Sequence, residues 1–188
     1  GLTLTTGNIF TLSYDSAFTA FVDGVNNFTA YVSAPNGQSD QQTANDTINQ
    51  RVFLFKAVNA PWSESFENSF PPINWDAGNV PLTIGWESTN KAATAGTRAA
   101  YVRNFINPVL GDPDELYMPP TIANSVDSIF LKFDLAYISS TTSDLPMDTL
   151  QVWLTQDCGK TGFIVYNKWG PDLQTVTDPN IPGTTEFL

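Results

Sequence analysis

Residues 61–75 read P-W-S-E-S-F-E-N-S-F-P-P-I-N-W, a polar and aromatic run that carries Glu67 and meets Pro71-Pro72 before Trp75. It reads as a short strand that the proline pair stops before the tryptophan. Three further segments follow in order: D-E-L-Y-M-P-P at 114–120, I-F-L-K-F-D-L-A-Y at 129–137 and D-T-L-Q-V-W-L-T-Q-D-C-G at 148–159. Around them, short alternating runs rich in Thr, Val, Phe and Tyr are punctuated by Asn-Gly, Pro-Asn, Asp-Pro and Pro-Pro, and helical periodicity is nearly absent. The pattern is that of an all-β chain.

Asn59-Ala60-Pro61 divides the chain into two unequal parts. The first, 1–58, reads as four strands: 2–5 and 9–14 around the turn Thr6-Gly7-Asn8, then 28–33 and 51–58. In 28–33, Phe28, Ala30 and Val32 fall on one face and Thr29, Tyr31 and Ser33 on the other. The second part, 61–188, carries strands expected near 63–67, 98–105, 115–118, 128–138, 148–156, 163–169 and 185–188.

Taken in order, the segments of the second part resemble the choice-of-anchor J domain of secreted Bacteroidota proteins. That domain is similar to the cleaved-adhesin domains of gingipain-type proteins and, more distantly, to MAM domains. All are jelly-roll β-sandwiches used in adhesion and recognition, and none is an enzyme by itself. The first part, with Ala30–Gly37, Asp40 and Asn45-Asp46-Thr47, resembles the later portion of the immunoglobulin-like repeats that precede such modules. The resemblance therefore implies two tandem β-sandwich units: an incomplete immunoglobulin-like repeat at 1–58 and an incomplete jelly roll at 61–188. A sandwich of the first kind wants about seven strands, so its first strands are expected upstream of Gly1, and the jelly roll is expected to continue past Leu188.

Composition bounds the chemistry. Of 188 residues only 14% are charged, 41% are hydrophobic and 13% aromatic, so the chain is a folding one whose solubility rests on hydroxyls and amides. The net charge of −11, from 19 acids against 8 bases, repels phosphate backbones and argues against nucleic acid as a partner. No run of 18 apolar residues is present to span a membrane. There is no histidine, which removes Ser-His-Asp and Cys-His catalysis and every zinc site needing imidazole. The single cysteine, Cys158, has no partner for an internal disulfide and reads as a small apolar side chain near a strand end.

Unpaired acids suit a hard, oxygen-seeking cation such as Ca²⁺. Asp112-Pro113-Asp114 places two carboxylates at alternate positions, a spacing that can aim both inward together with an intervening carbonyl. The alternative is a solvated acidic turn shaped by Pro113. The resemblance implies a structural calcium site drawing on Glu67, Asp76, Asp112, Asp114 and Glu115, although the stretch between Trp75 and Trp86 departs from the acid-rich D-x-D-G-D pattern of the cleaved-adhesin type.

Trp62, Trp75, Trp86, Trp153 and Trp169 could serve the core or stack on sugar rings, and no residue pattern singles out a sugar cleft. Fourteen Asp and five Glu guarantee accidental carboxylate pairs, so they do not point to glycoside hydrolysis. The tripeptide Asp-(Ser/Thr)-apolar resembles the O-glycosylation sequon of exported Bacteroidota proteins. It recurs at Ser16, Thr47, Ser128 and Thr149, where composition alone gives roughly one match. The competing explanation is that Asp-Ser/Thr simply opens strands after turns, its side chains bonding nearby backbone.

The resemblance implies a non-catalytic adhesion or recognition module of a large exported protein at the bacterial cell surface, of the kind carried by type IX secretion cargo, including adhesins and gliding-motility proteins. Its expected partners are other surface or secretion-system proteins, or glycans. Two alternatives stand beside it: the accessory region of a secreted protease or glycanase, and a structural spacer in a surface filament.

Overall fold

The computed structural model describes residues 9, 11, 13, 21–33, 37–39, 42–78, 84–107, 111, 113–124, 126–138, 147–157 and 159–175. The strands expected at 2–5 and 185–188, most of the one at 9–14, and Ser16, Asp112 and Cys158 lie outside those residues. Within them the chain is strand-rich, and its helical content is three single 3₁₀ turns, at Thr43–Asn45, Asn104–Ile106 and Gly170–Asp172. No helix among the described residues is long and apolar enough to cross a membrane. The chain divides into two compact units, Gly1–Leu54 and Phe55–Leu188.

In the first unit β1 (Gly24–Tyr31) pairs antiparallel with β2 (Thr47–Leu54), residue for residue from Gly24 opposite Leu54 to Tyr31 opposite Thr47. Val32 lengthens the ladder by donating its N–H to Asp46 O at 2.8 Å. Asn26 pins the entry to β1: its Nδ2 donates to Val22 O at 2.7 Å and Gly24 O at 3.0 Å, and its Oδ1 accepts from Val22 N at 3.0 Å. Those bonds satisfy a buried amide while the chain turns through Gly24, whose φ of +97° lies where side-chain-bearing residues are disfavoured. Across the pair, Thr29 Oγ1 donates to Asn49 Oδ1 at 2.7 Å, a polar cross-strand contact on the face opposite Asn26.

The second unit begins where the last strand of the first part was expected to run on. Ladder pairing with β1 stops at Leu54, and Val58–Asn59 forms β3, which pairs parallel with β6 (Thr121–Ile122). Val58 N donates to Pro120 O at 2.9 Å and Ala60 N to Ile122 O at 3.0 Å, so the residues after 55 are tied to the segment that leaves Pro119-Pro120. Between them lie β4 (Glu87–Thr89) and β5 (Ala99–Tyr101), an antiparallel pair reinforced by Arg98 Nε donating to Ser88 Oγ at 2.9 Å and by the Arg103–Glu87 ion pair. Asp76 and Tyr117 form an isolated antiparallel bridge, exchanging N–H···O bonds of 3.0 and 2.7 Å.

The stretch 61–75 is not a strand. Glu64 Oε1 accepts the N–H of Phe66 at 2.6 Å, which captures that backbone group locally, and Phe66 sits at φ +62° in the left-handed region. That conformation costs an aromatic residue roughly 1–2 kcal/mol and holds because its ring is packed. Phe66 meets Trp75 edge-on at 5.6 Å between centroids and Phe70 at 6.2 Å, and Trp62 meets Trp75 edge-on at 5.9 Å. Around this aromatic cluster Trp75 and Ala77 are buried, with Asp76 between them.

β7 (Thr149–Leu154) and β8 (Phe163–Trp169) form the longest ladder of the second unit, antiparallel, with a register shift between Val152 and Trp153 that leaves Val165 as the extra residue. The reversal at 155–161 is held by Asp157, whose carboxylate accepts from Thr161 N at 2.8 Å, Thr161 Oγ1 at 2.6 Å and Thr155 Oγ1 at 2.9 Å. The hydroxyl and backbone of Thr161 are the main reason that Asp157 is pulled down to about 2. Residues 128–138, expected as a strand, join no ladder among the described residues, and Phe130 is 82% exposed. The segment touches the hairpin through Phe133, edge-on to Tyr166 at 5.3 Å, and through Tyr137, whose hydroxyl donates to Asp148 Oδ2 at 2.9 Å.

Candidate functional site

The structure sorts the five tryptophans. Trp75 is 8% exposed and forms the middle of the aromatic cluster. Trp62 Nε1 donates to Thr121 Oγ1 at 2.9 Å and Trp86 Nε1 to the Asp114 carbonyl at 2.8 Å, so both indoles tie one segment of the second unit to another. These three are architectural. Trp153 and Trp169, at 59% and 56% exposed, are not.

Strand parity explains the difference. In β7 Leu150 and Val152 are half-buried while Thr149, Gln151 and Trp153 are exposed, and in β8 only Tyr166 is half-buried. Leu150, Val152 and Tyr166 therefore share the inner face, where Phe133 packs on Tyr166. Thr149 opposite Trp169 and Gln151 opposite Asn167 share the outer one. Trp153 continues that outer row, and its Nε1 donates to Gln151 Oε1 at 3.1 Å. Gln151 Nε2 in turn donates to Asn167 Oδ1 at 3.1 Å. The result is an outward face with an indole at each end and a bonded amide pair between them. Its charged neighbours turn away: Lys168 falls on the inner parity, and the Asp148 carboxylate is taken by Tyr137.

The end of this hairpin is fixed by a second set of bonds. Tyr137 N donates to Thr175 Oγ1 at 2.8 Å, Thr175 N returns to Tyr137 O at 3.0 Å, and Gly170 N donates to Asp148 O at 3.0 Å above the buried Leu173. Partial burial, with the Asp148 carboxylate beside it, pushes the Tyr137 phenol up to about 12.

Of the expected calcium ligands, Glu67, Asp76, Asp114 and Glu115 fall within the described residues, and each accepts a hydrogen bond from the protein. Glu67 is committed to the turn at 96–98: its Oε1 accepts from Thr97 N at 2.8 Å and Arg98 N at 2.7 Å, and its Oε2 from Thr97 Oγ1 at 2.8 Å. These donors, the Thr97 hydroxyl first, hold its pKa below the ordinary value. Gly96 allows the approach, since a Cβ there would lie 2.4 Å from Glu67 Oε1. Three donors make this carboxylate an internal acceptor that braces the turn.

Asp76 and Glu115 do meet, at Tyr117. The Tyr117 hydroxyl donates to Glu115 Oε2, Gly78 N donates to Asp76 Oδ1 at 3.4 Å, and the Glu115 bond together with partial burial pushes the Tyr117 phenol up to about 12. Asp114 gives its carbonyl to Trp86 and accepts from Asn107 Nδ2 at 3.4 Å through its carboxylate. Among the described residues no three acidic or cysteine side chains converge as a cation site, and Asp112 lies outside them.

Of the four sequon hydroxyls, Thr47, Ser128 and Thr149 are all exposed. Thr47 and Thr149 are also the first residues of β2 and β7, the placement that strand initiation alone would produce. The outward face that the residues 149–169 build was open to sequence reasoning: Trp153 shares its parity with Thr149 and Gln151, and Trp169 shares its parity with Asn167. No known protein family matches the chain, and no curated protein or solved structure matches it either.

Proposed function

We propose that this chain is a non-catalytic recognition module of an exported bacterial cell-surface protein, and that β7 and β8 carry its contact surface. The observation that supports this most is the solvent exposure of Trp153 and Trp169 on one uncharged sheet face, while Trp62, Trp75 and Trp86 are used internally. Large aromatic side chains left in water on an ordered strand are expensive for a spacer to maintain and are typical of contact surfaces. The absence of histidine from the sequence agrees with binding in place of the common hydrolytic mechanisms. In this reading the β1–β2 ladder belongs to an immunoglobulin-like repeat, and the second unit to a jelly roll of the choice-of-anchor J kind. Type IX secretion cargo is the class of protein proposed to carry them.

The test is retention without turnover. Beads bearing the full 188-residue chain are offered intact bacterial cells, extracellular-matrix protein and cell-wall polysaccharide. Saturable retention on at least one surface, with no release of peptides or reducing ends, is the expected result. Absence of retention on every surface supports the spacer, and product release supports an enzyme; either overturns the proposal.

A further inference from the structure

We infer that the outer face of β7–β8 binds an extended strand of neutral pyranose sugars, an inference that rests on the recognition reading and names its ligand. Three features of the face select that chemistry. The first is two exposed indoles, whose electron-rich faces stack on the axial C–H bonds of a sugar ring. The second is hydrogen-bonding capacity beside them. Gln151 and Asn167 are bonded to each other, yet among the described residues both Asn167 Nδ2 protons, one proton of Gln151 Nε2 and the Trp169 Nε1 proton have no protein acceptor. These are donors for ring hydroxyls, and the Gln151–Asn167 bond holds the amides in place before ligand arrives. The third is neutrality. A chain with net charge −11 repels anionic glycans, and the face itself presents no cation to offset that.

Spacing decides between a single sugar and a strand. Trp169 stands opposite Thr149, and Trp153 lies four residues further along β7. The two indoles are therefore about 13 Å apart in the strand direction. A disaccharide reaches one of them, and a longer oligosaccharide reaches both across the amide pair. The apolar alternative, a protein partner seated on the same tryptophans, has no use for the unbonded donors between them and is left as an outcome of the test.

The experiment is affinity electrophoresis of the full 188-residue chain through gels containing a β-glucan, a xylan, a mannan or polygalacturonate. It is followed by calorimetry with the disaccharide and hexasaccharide of whichever neutral polymer retards it. Expected are retardation by at least one neutral polymer and none by polygalacturonate, and a hexasaccharide affinity about tenfold or more above that of the disaccharide. Trp153→Ala and Trp169→Ala should each abolish that length advantage while leaving the far-ultraviolet circular dichroism unchanged, and Trp153→Phe should keep part of it. No retardation by any neutral polymer, or retardation that survives the double Trp→Ala variant, overturns the inference. Saturable retention on a protein-coated bead without glycan binding overturns it too, while leaving the recognition module itself standing.

Discussion

Trp75→Ala and Trp153→Ala test the division of the tryptophans most directly, because the two substitutions are chemically identical and differ only in position. Taking an indole from water removes about 200 Å² of surface, worth about 5 kcal/mol at the usual ~25 cal/mol per Å². Trp75, 8% exposed, realises nearly all of that and adds two edge-on ring contacts at 5.9 and 5.6 Å. Trp153, 59% exposed, realises less than half, about 2 kcal/mol. Both figures are upper values, because an unfolded chain already buries some of its apolar surface. Trp75→Ala should therefore cost about 4 kcal/mol, a large part of the ~5–15 kcal/mol that holds an ordinary domain together. Trp153→Ala should cost about 2 kcal/mol at most. Urea unfolding followed by far-ultraviolet circular dichroism measures both without relying on the fluorophore that is removed. Trp75→Phe, which keeps an aromatic edge for Trp62 and Phe66, gives an intermediate midpoint if Trp75→Ala is too unstable to titrate. Equal losses at the two positions would refute the reasoning, since Trp153 would then be a core residue and its face would not be open.

Glu67→Gln should lower the melting temperature, and millimolar Ca²⁺ should not restore it, because the lost contacts are to Thr97 and Arg98; Gly96→Ala should do the same by displacing the carboxylate. With its pKa lowered from 4.5, Glu67 stabilises the fold above that value and loses the contribution as pH falls through the folded pKa, so Glu67→Gln should flatten the acid limb of a stability–pH curve. Asp157, at about 2 against 3.8, contributes fully above pH 3.8 and loses its contribution as pH falls towards 2; Asp157→Asn should remove that acid dependence in a pH series of melting curves. Tyr137 behaves in the opposite sense: raised from 10.0 to about 12, it contributes fully below pH 10 and loses its contribution as pH rises through 12. Tyr137→Phe should accordingly weaken the alkaline dependence of the melting temperature.

What could be read from the sequence followed the reach of each interaction. The β8 strand falls on the expected 163–169 because F-I-V-Y-N-K-W is a β-branched and aromatic run that needs only its neighbours to be extended. The hairpin reversal at 155–161 is likewise local, built by Thr155, Asp157 and Thr161 on their own backbone. The stretch 61–75 misled for a local reason of a different kind: one carboxylate, that of Glu64, took the Phe66 N–H that a ladder would have used. Glu67 was beyond reach for the converse reason. Its hydrogen-bond partners lie 30 and 31 residues away, and a Phe-Glu pair carries no mark of a contact that distant. The tryptophans divide along the same line. Trp62, Trp75 and Trp86 are placed by long-range contacts, whereas the outward aim of Trp153 and Trp169 is written in the parity of the strands that hold them.

The sequon reading and the contact surface meet at Thr149. It opens β7 directly opposite Trp169, and antiparallel partners lie about 5 Å apart, so a glycan on its hydroxyl would lie over the indole that the surface depends on. Asp148 also has a structural reason to precede Thr149: its carboxylate takes the Tyr137 hydroxyl and its carbonyl the Gly170 N–H, closing the end of the hairpin. Strand initiation thus accounts for Asp148-Thr149 without an enzyme. Asp127-Ser128 is the contrasting case, since Asp127 makes no hydrogen bond among the described residues, Ser128 is exposed, and the residues that follow join no ladder. If the chain is modified, Ser128 is the position where modification costs the fold and the surface least. A glycan mapped to Ser128 leaves the binding face intact, whereas one on Thr149 would mean that Trp169 is shielded in the mature protein and that the face is closed to a sugar strand.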